Sequence, residues 1–274
     1  MKLPDVQSES DQRGIPLVVT VKSVHKRIIL RSQTGKDQHV DAVFTMSAHL
    51  SCYSRGAHMS RFLRALRVVR KASPILPALV AQLRQSMDTA IARARMDFLY
   101  RVDRTSPESG IPFEVYIPAF LEYESVGTTG VTTSGVTVPV MTVCPCSLEL
   151  SGGVAAHSQR CDVSVVAESS APNTVWLESL VDSVRGSAPV FSVLRREDEK
   201  RVVDDGFSNP MFVEDVVRAT LEASIRRVGQ LARRVEVTAT SYESIHPHNV
   251  EAMAEWVAHE DKDKTEGEAQ RGEA

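Results

Sequence analysis

Cysteine is scarce in this chain, long apolar runs are missing, and neither charge sign prevails. Only four thiols occur in 274 residues, at Cys52, Cys144, Cys146 and Cys161. The opening stretch, MKLPDVQSESDQRG, is polar and holds no apolar signal core. Together these point to a reducing compartment, and the expected location is the cytoplasm. No window reaches the ~18 consecutive apolar residues of a membrane span, so no membrane partner is expected. Lysine and arginine number 32 against 35 acids, a net charge of −3. That balance sets up no global field that would gather nucleic acid. What remains is an ordinary globular composition, 42% hydrophobic and 24% charged, with room for one large domain or two smaller ones of ~100–200 residues.

Within that composition, apolar residues fall into two periods. Leu17, Val19 and Val21 alternate with Val18, Thr20 and Lys22. Arg27 to Leu30 is a second apolar run and Gln38 to Leu50 a third, and they read as antiparallel strands with a turn at Ser32 to Lys36. Helical spacing follows in Phe62, Leu63, Leu66 and Val69. A second helical pattern runs through Leu76, Leu79, Val80, Leu83, Met87, Ile91, Ala94 and Phe98, with Pro74 and Pro77 in its tolerant first turn. Phe113, Val115 and Ile117 alternate again, and a Gly- and Thr-rich stretch, Gly127 to Gly135, turns the chain into Val136 to Val143 as a hairpin. Gln159 to Ala167 reads as a strand, Thr174 to Val184 as a helix, and Arg185 to Ser208 as a charged connector. Asn209-Pro210 reads as the N-cap and first residue of a helix whose apolar face is Val213, Val216, Val217, Leu221, Ile225 and Val228. Val235, Val237 and Ala239 give a last strand, and 259–274 reads as a disordered tail. The order of elements repeats although the sequence does not. Two α+β halves, 1–108 and 109–258, are therefore expected, each an antiparallel sheet with helices on one face.

Chemistry concentrates in VCPCSLELSGGVAAHSQR, Val143 to Arg160. Cys144 and Cys146 stand one residue apart at the end of an alternating run, and His157 stands just before the next strand. Thiols and imidazoles at a sheet edge sit on rigid backbone, as a metal site or thiol chemistry needs. A small buried cysteine is the competing explanation. The REDEK run, Arg196 to Lys200, suits a solvated surface unless one carboxylate points inward. Glu214 lies in the first turn of a helix, where an acid also suits the dipole. In SIHPHN, alternation sends His246 and His248 to the same face, a pairing suited to metal binding or proton transfer.

These residues, taken with others, resemble the type IB GTP cyclohydrolases. The matching segments are DVQSESDQRGIP (Asp5 to Pro16), RGAHMSRF (Arg55 to Phe62), CPCS with AHSQR, REDEKRV (Arg196 to Val202), NPMFVEDVVR (Asn209 to Arg218) and ESIHPHN (Glu243 to Asn249). They occur in family order and span most of the chain. The resemblance implies a tunnelling fold, with two tandem modules of antiparallel sheet and helices on one face. It implies a homo-oligomer, expected to be a tetramer, and GTP as substrate. It implies a divalent metal (zinc, iron(II) or manganese) held by Cys144, His157, Glu199 and His246, with His157 or His248 as proton donor. Glu214 matches the acid that anchors guanine. Arg55, which stands where the family has lysine, borders the substrate site with His58, Ser60 and Arg61, and Arg13 and Lys200 are candidates for the triphosphate. The implied reaction opens the imidazole ring of GTP at C8, releases formate and gives dihydroneopterin triphosphate for folate synthesis. Archaeal relatives of the same fold are implied to finish with a cyclic phosphate. A structural zinc protein is the reading from a different class; it would need a closed site using both thiols.

Overall fold

Period-2 alternation dominates the molecule and builds one antiparallel sheet. The computed structural model describes residues 9–68, 75–171 and 174–258. Its strands are β1 (Leu17–Arg31), β2 (Asp37–Leu50), β3 (Ile91–Thr105), β4 (Pro112–Val126), β5 (Thr129–Val143), β6 (Ser158–Ser170), the two-residue β7 (Ala188–Pro189), β8 (Arg234–Ser241) and β9 (Val250–Val257). They lie in the order β1-β2-β3-β4-β5-β6-β8-β9, with β7 pairing β5 off that path. Helices α1 (Met59–Val68) and α2 (Ile75–Met87) connect β2 to β3. Helix α3 (Pro145–Leu150) follows β5, and α4 (Leu177–Val181), α5 (Arg196–Ser208) and α6 (Val213–Val228) fall between β6 and β8.

The core lies between one sheet face and the longer helices. Ala92, Ala94, Met96, Phe98 and Tyr100 of β3 point to it, as do Cys161, Val163, Val165 and Ala167 of β6 and Val235, Val237 and Ala239 of β8. Leu79 and Leu83 of α2 and Val216 and Val217 of α6 close it from the other side. Each fully buried Val or Leu contributes ~1.5–3 kcal/mol of transfer energy. The opposite face is polar: Arg93 and Arg95 of β3 pair with Glu122 of β4, and the Arg95 guanidinium lies 3.6 Å over the Phe120 ring.

Several expected boundaries move. Leu17 to Val21 and Arg27 to Leu30 belong to one strand, because the β1–β2 register slips between Val21 and Val24, where Ser23 takes φ 59°. The second helix stops at Met87, with Asp88 at φ 50°, and Ile91 to Phe98 is strand instead. There Ala92, Ala94, Met96 and Phe98 are buried, a period of two hidden by alanines that also suit a helix. The β4–β5 turn is shorter than the glycine content suggests. Gly130 and Gly135 lie within β5 because aromatic rings cross them: a Cβ on Gly135 would stand 2.2 Å from Phe120 Cε1, and one on Gly130 2.2 Å from the Tyr123 hydroxyl. The charged connector contains β7 and α5. The helix expected at Asn209-Pro210 begins at Val213, with the Phe212 N–H donating to Asp215 Oδ2 at 3.1 Å. The helix expected over Thr174 to Val184 shrinks to α4, and β9 follows the last expected strand. The tail at 259–274, the opening eight residues and Pro74 lie outside the described residues.

Candidate active site

The six matched segments fall on the sheet in two groups, four at one end and two at the other, and strand direction decides which meet. β5 ends at Val143, and Cys144 becomes the N-cap of α3, its Sγ accepting from the Ser147 N–H at 3.5 Å. The chain then loops back so that the Cys144 N–H donates to the His157 carbonyl at 3.1 Å. Ser147 Oγ pins the loop from inside, donating to the Cys144 carbonyl at 3.2 Å and accepting from the His157 N–H at 3.2 Å. The loop so closed seats Cys144 and His157 side by side through their backbones. Cys146, one position into α3, is exposed. Cys161 is fully buried, and burial pushes its thiol up to about 12, with the negative Asp162 and Glu243 adding to the effect. It is a core residue without nucleophilic character.

The other C-terminal segments reach the same end of the sheet. Helix α6 has 16 residues and β8 has 8, which makes them ~24 Å and ~26 Å long. A short turn joins them, so the start of α6 overlies the end of β8. The Met211 N–H, just before α6, donates to the Val143 carbonyl at 3.0 Å. Glu214, in the first turn of α6, is exposed there. Helix α5 is tied to the same end by Asp198, which is fully buried. It accepts from Ser109 Oγ at 2.7 Å, from the Ser109 and Glu108 N–H groups at 2.8 and 2.9 Å, and from the Arg195 N–H at 2.8 Å. Burial pushes the Asp198 carboxyl up, but these hydrogen bonds outweigh it and hold the carboxyl well below its ordinary range. Glu199, next to it, is exposed. His246 and His248 lie in the β8–β9 loop, exposed and stacked with ring centres 5.3 Å apart.

The two N-terminal segments occupy the other end. Residues 9–13 dock on 53–55 through the Asp11 N–H to the Tyr53 carbonyl at 2.9 Å, the Ser10–Ser54 bridge, and an ion pair between Arg55 and Glu9. Arg13 pairs with Asp11, and its side-chain and backbone hydrogen bonds lower the Asp11 carboxyl to about 2. His58 takes φ 46° at the entry to α1. Arg61 donates to the Ser86 carbonyl at 2.9 Å, so it ties α1 to the end of α2. Ser60 Oγ accepts from Arg64, and Lys200, on α5, pairs with Asp204. Between β2 and β5 the strand direction reverses three times. The end of β2, which leads to Arg55, is level with the start of β5. Cys144 lies a full strand away, 15 residues or roughly 45 Å along the sheet. Within one chain, Arg13, Arg55, His58, Ser60 and Arg61 do not meet Cys144 and His157.

Among the described residues no three His, Cys, Asp or Glu side chains stand together as a metal-holding group. The chain unites Cys144 and His157 but does not gather Glu199 and His246 onto them. A thiol and an imidazole, both partly buried and set on a loop braced by Ser147, suit zinc, iron(II) or manganese as two donors of a set. Sequence reasoning passed over two further residues. Glu243, its side chain only 13% exposed, receives Ser241 Oγ at 2.8 Å and stands 4.0 Å from His157 Nδ1. Gln159 Oε1 is 2.9 Å from that same nitrogen. Alternation through Ala239, Ser241 and Glu243 was the signal, and it was masked by the two histidines that follow. Two clefts, of 260 and 880 Å³, open elsewhere, beside Tyr100 and beside Phe191, and neither includes Cys144 or His157.

The architecture is that of an α+β protein with one long antiparallel sheet and helices packed on it. It is similar to uricase from Arthrobacter globiformis, with a TM-score of 0.57 over 89% of this chain and 94% of that one. At 11% identity this is a likeness of fold alone. The chain belongs to the type I GTP cyclohydrolase folE2 family, whose model matches residues 3–252. Curated relatives named GTP cyclohydrolase FolE2 include one from Kosmotoga olearia, 36% identical over 257 residues, covering 92% of this chain and 97% of that protein. Another, from Halorhodospira halophila, is 34% identical over 258 residues, covering 92% and 98%.

Proposed function

We propose that this chain is a GTP cyclohydrolase that opens the imidazole ring of GTP at C8 and releases formate, giving dihydroneopterin triphosphate at the entry to folate synthesis. The observation that carries the reading is the gathering of Cys144, His157, Glu214 and the His246–His248 loop at one end of the sheet, in a chain of this family. Cys144 and His157 would hold a divalent ion, with Glu199 and His246 completing its ligands. When bound, that ion supplies activation of water near neutral pH. Glu214 presents a carboxylate, which accepts two hydrogen bonds from the N–H edge of guanine and aims C8 at the thiol–imidazole end. His248, exposed beside His246, is free to protonate the ring nitrogen as C8 is attacked, a task suited to imidazole near pH 7. Arg55 and Arg13 carry charge suited to the triphosphate, although both are paired with acids of the 9–11 segment that GTP would displace.

The separation of Arg55 from Cys144 supports a site completed between subunits. We read the element order as two tunnelling-fold modules, 1–108 and 109–258, and the assembly as a homotetramer in the cytoplasm. Strands β1 and β9 are the two edges of the sheet, and among the described residues no strand pairs their outer sides; Leu17, Val18, Met253 and Val257 are exposed on them. Both are features that assembly would cover. Among the described residues no helix is long and apolar enough to cross a membrane. The test is incubation of the purified protein with GTP and zinc, iron(II) or manganese, following pterin fluorescence and formate. Equimolar mixing of Arg55→Ala and Cys144→Ala chains, refolded together, tests the shared site: hybrid assemblies regain activity that neither parent has. Absence of any pterin with all three metals refutes the activity, and absence of regain refutes the shared site.

A further inference from the structure

A carboxylate two residues past β8 dictates which nitrogen of His157 faces the site. Glu243, as a carboxylate, only accepts hydrogen bonds, whereas the Gln159 amide has one donating and one accepting end. Gln159 Nε2 lies 3.4 Å from Glu243 Oε1 and 3.4 Å from Ser241 Oγ. Ser241 spends its own proton on Glu243 at 2.8 Å, so its oxygen is left to accept. Turning the amide over would set its oxygen against both acceptors. The NH2 group therefore faces Glu243, and Oε1 faces the other way. Ser244 Oγ donates to that oxygen at 3.4 Å, and His157 Nδ1 lies 2.9 Å from it. Glu243 itself is 4.0 Å from His157 Nδ1, beyond hydrogen-bond reach. A nitrogen facing a carbonyl oxygen at 2.9 Å has to carry a proton.

We propose that Gln159, oriented by Glu243 and Ser241, is a positioning residue that holds neutral His157 as its Nδ1–H tautomer and so presents the Nε2 lone pair to the site. The tautomer follows from the hydrogen bonds alone. Its use as a metal donor rests on the reading above, in which His157 is a ligand. A ring fixed in this way keeps one nitrogen aimed and unprotonated, and loss of such a partner typically weakens metal binding 10- to 100-fold.

The experiment uses full-length protein labelled with ¹⁵N-histidine, chelated, at pH 8, and long-range ¹H–¹⁵N correlation spectra, with His157 assigned by the signal missing in His157→Gln. The expected wild-type pattern is a protonated Nδ1 and a lone-pair Nε2. Gln159→Leu is expected to give mixed or reversed tautomers and to raise the Mn²⁺ dissociation constant 10- to 100-fold. Glu243→Gln changes only one end of a carboxylate, frees the amide to turn over, and is expected to mix the tautomers even if Gln159→Leu does not fold. Gln159→Glu keeps an acceptor at Nδ1 and is expected to keep the tautomer. An Nε2–H tautomer in the wild type overturns the proposal, and so does an unchanged pattern in both Gln159→Leu and Glu243→Gln. A shifted tautomer with unchanged Mn²⁺ affinity supports the proposal and removes His157 from the ligand set instead.

Discussion

Replacing Glu214 by glutamine separates an anchor from a helix-end acid, because the two roles predict different magnitudes in different measurements. Glu214 is exposed in the first turn of α6 and makes no hydrogen bond or ion pair among the described residues. Among those residues what its charge meets is the helix dipole, an effect of ~0.3–1 kcal/mol at an exposed helix start. For a chain of this size that corresponds to a fall of about 1–4 °C in Tm. The guanine edge asks more of it. Two donors there meet two carboxylate oxygens, whereas an amide turns a donor toward one of them. A buried donor left unpaired costs ~1–3 kcal/mol, or a roughly 5- to 150-fold fall in kcat/KM. The assay is pterin fluorescence across a GTP series, with thermal melts of the same preparations. The expected result is a large kinetic loss on a nearly unchanged melting curve. Normal kcat/KM in Glu214→Gln would refute the anchor role, and a kinetic loss matched by a large fall in Tm would show that the helix start, not the guanine contact, had been damaged.

Three further outcomes follow from the same geometry. Cys144→Ala should lose bound metal and pterin formation together, whereas Cys146→Ala, at an exposed position, should retain most of both; metal content by elemental analysis decides, and the reverse pattern would reassign the ligand. Gly135→Ala should destabilise the fold by ~1–3 kcal/mol, because its methyl group must displace Phe120 from beneath Arg95; an unchanged denaturation midpoint would contradict the contact. Asp198 has a carboxyl lowered in the folded state, so its stabilisation is complete above the unfolded value of ~4 and is lost as pH falls below it. The Tm advantage of wild type over Asp198→Asn should therefore shrink between pH 5 and pH 3, and a difference independent of pH would contradict the anchoring.

How much of this was legible in the sequence depended on which period each segment carried. Val163, Val165 and Ala167 alternate without interruption, and β6 was read nearly to its ends. Ile91 to Phe98 failed because Ala92 and Ala94, small enough to lie against α2, gave no apolar contrast of their own. Gly130 and Gly135 misled for a different reason. They are placed for ring contact across the strands, and only the pairing register reveals which ring. Cys144, His157, Glu214 and the histidine loop are candidates named from their segments, and their placement at one end of the sheet required strand direction. Glu243 and Gln159 were not legible as site residues, since their role depends on which atoms face each other across β6 and β8.

The strand order has a consequence for how the molecule is made. Apart from β6 with β8, each neighbour along the main path is also the next strand in the chain, so the sheet is a meander that can grow by one hairpin at a time. Contacts between sequence neighbours close short loops and form early, and a growing edge is exposed until its next strand arrives. The sheet can thus be laid down from β1 onward during synthesis, with pauses where α1 and α2, and later α4 to α6, must pack before pairing resumes. The carboxylate proposed to orient Gln159, and through it His157, arrives after β8, late among the described residues. A chain stopped before Ser241 would lack β9 and the end of β8, and the Gln159 amide beside its thiol–imidazole loop would be free to face either way.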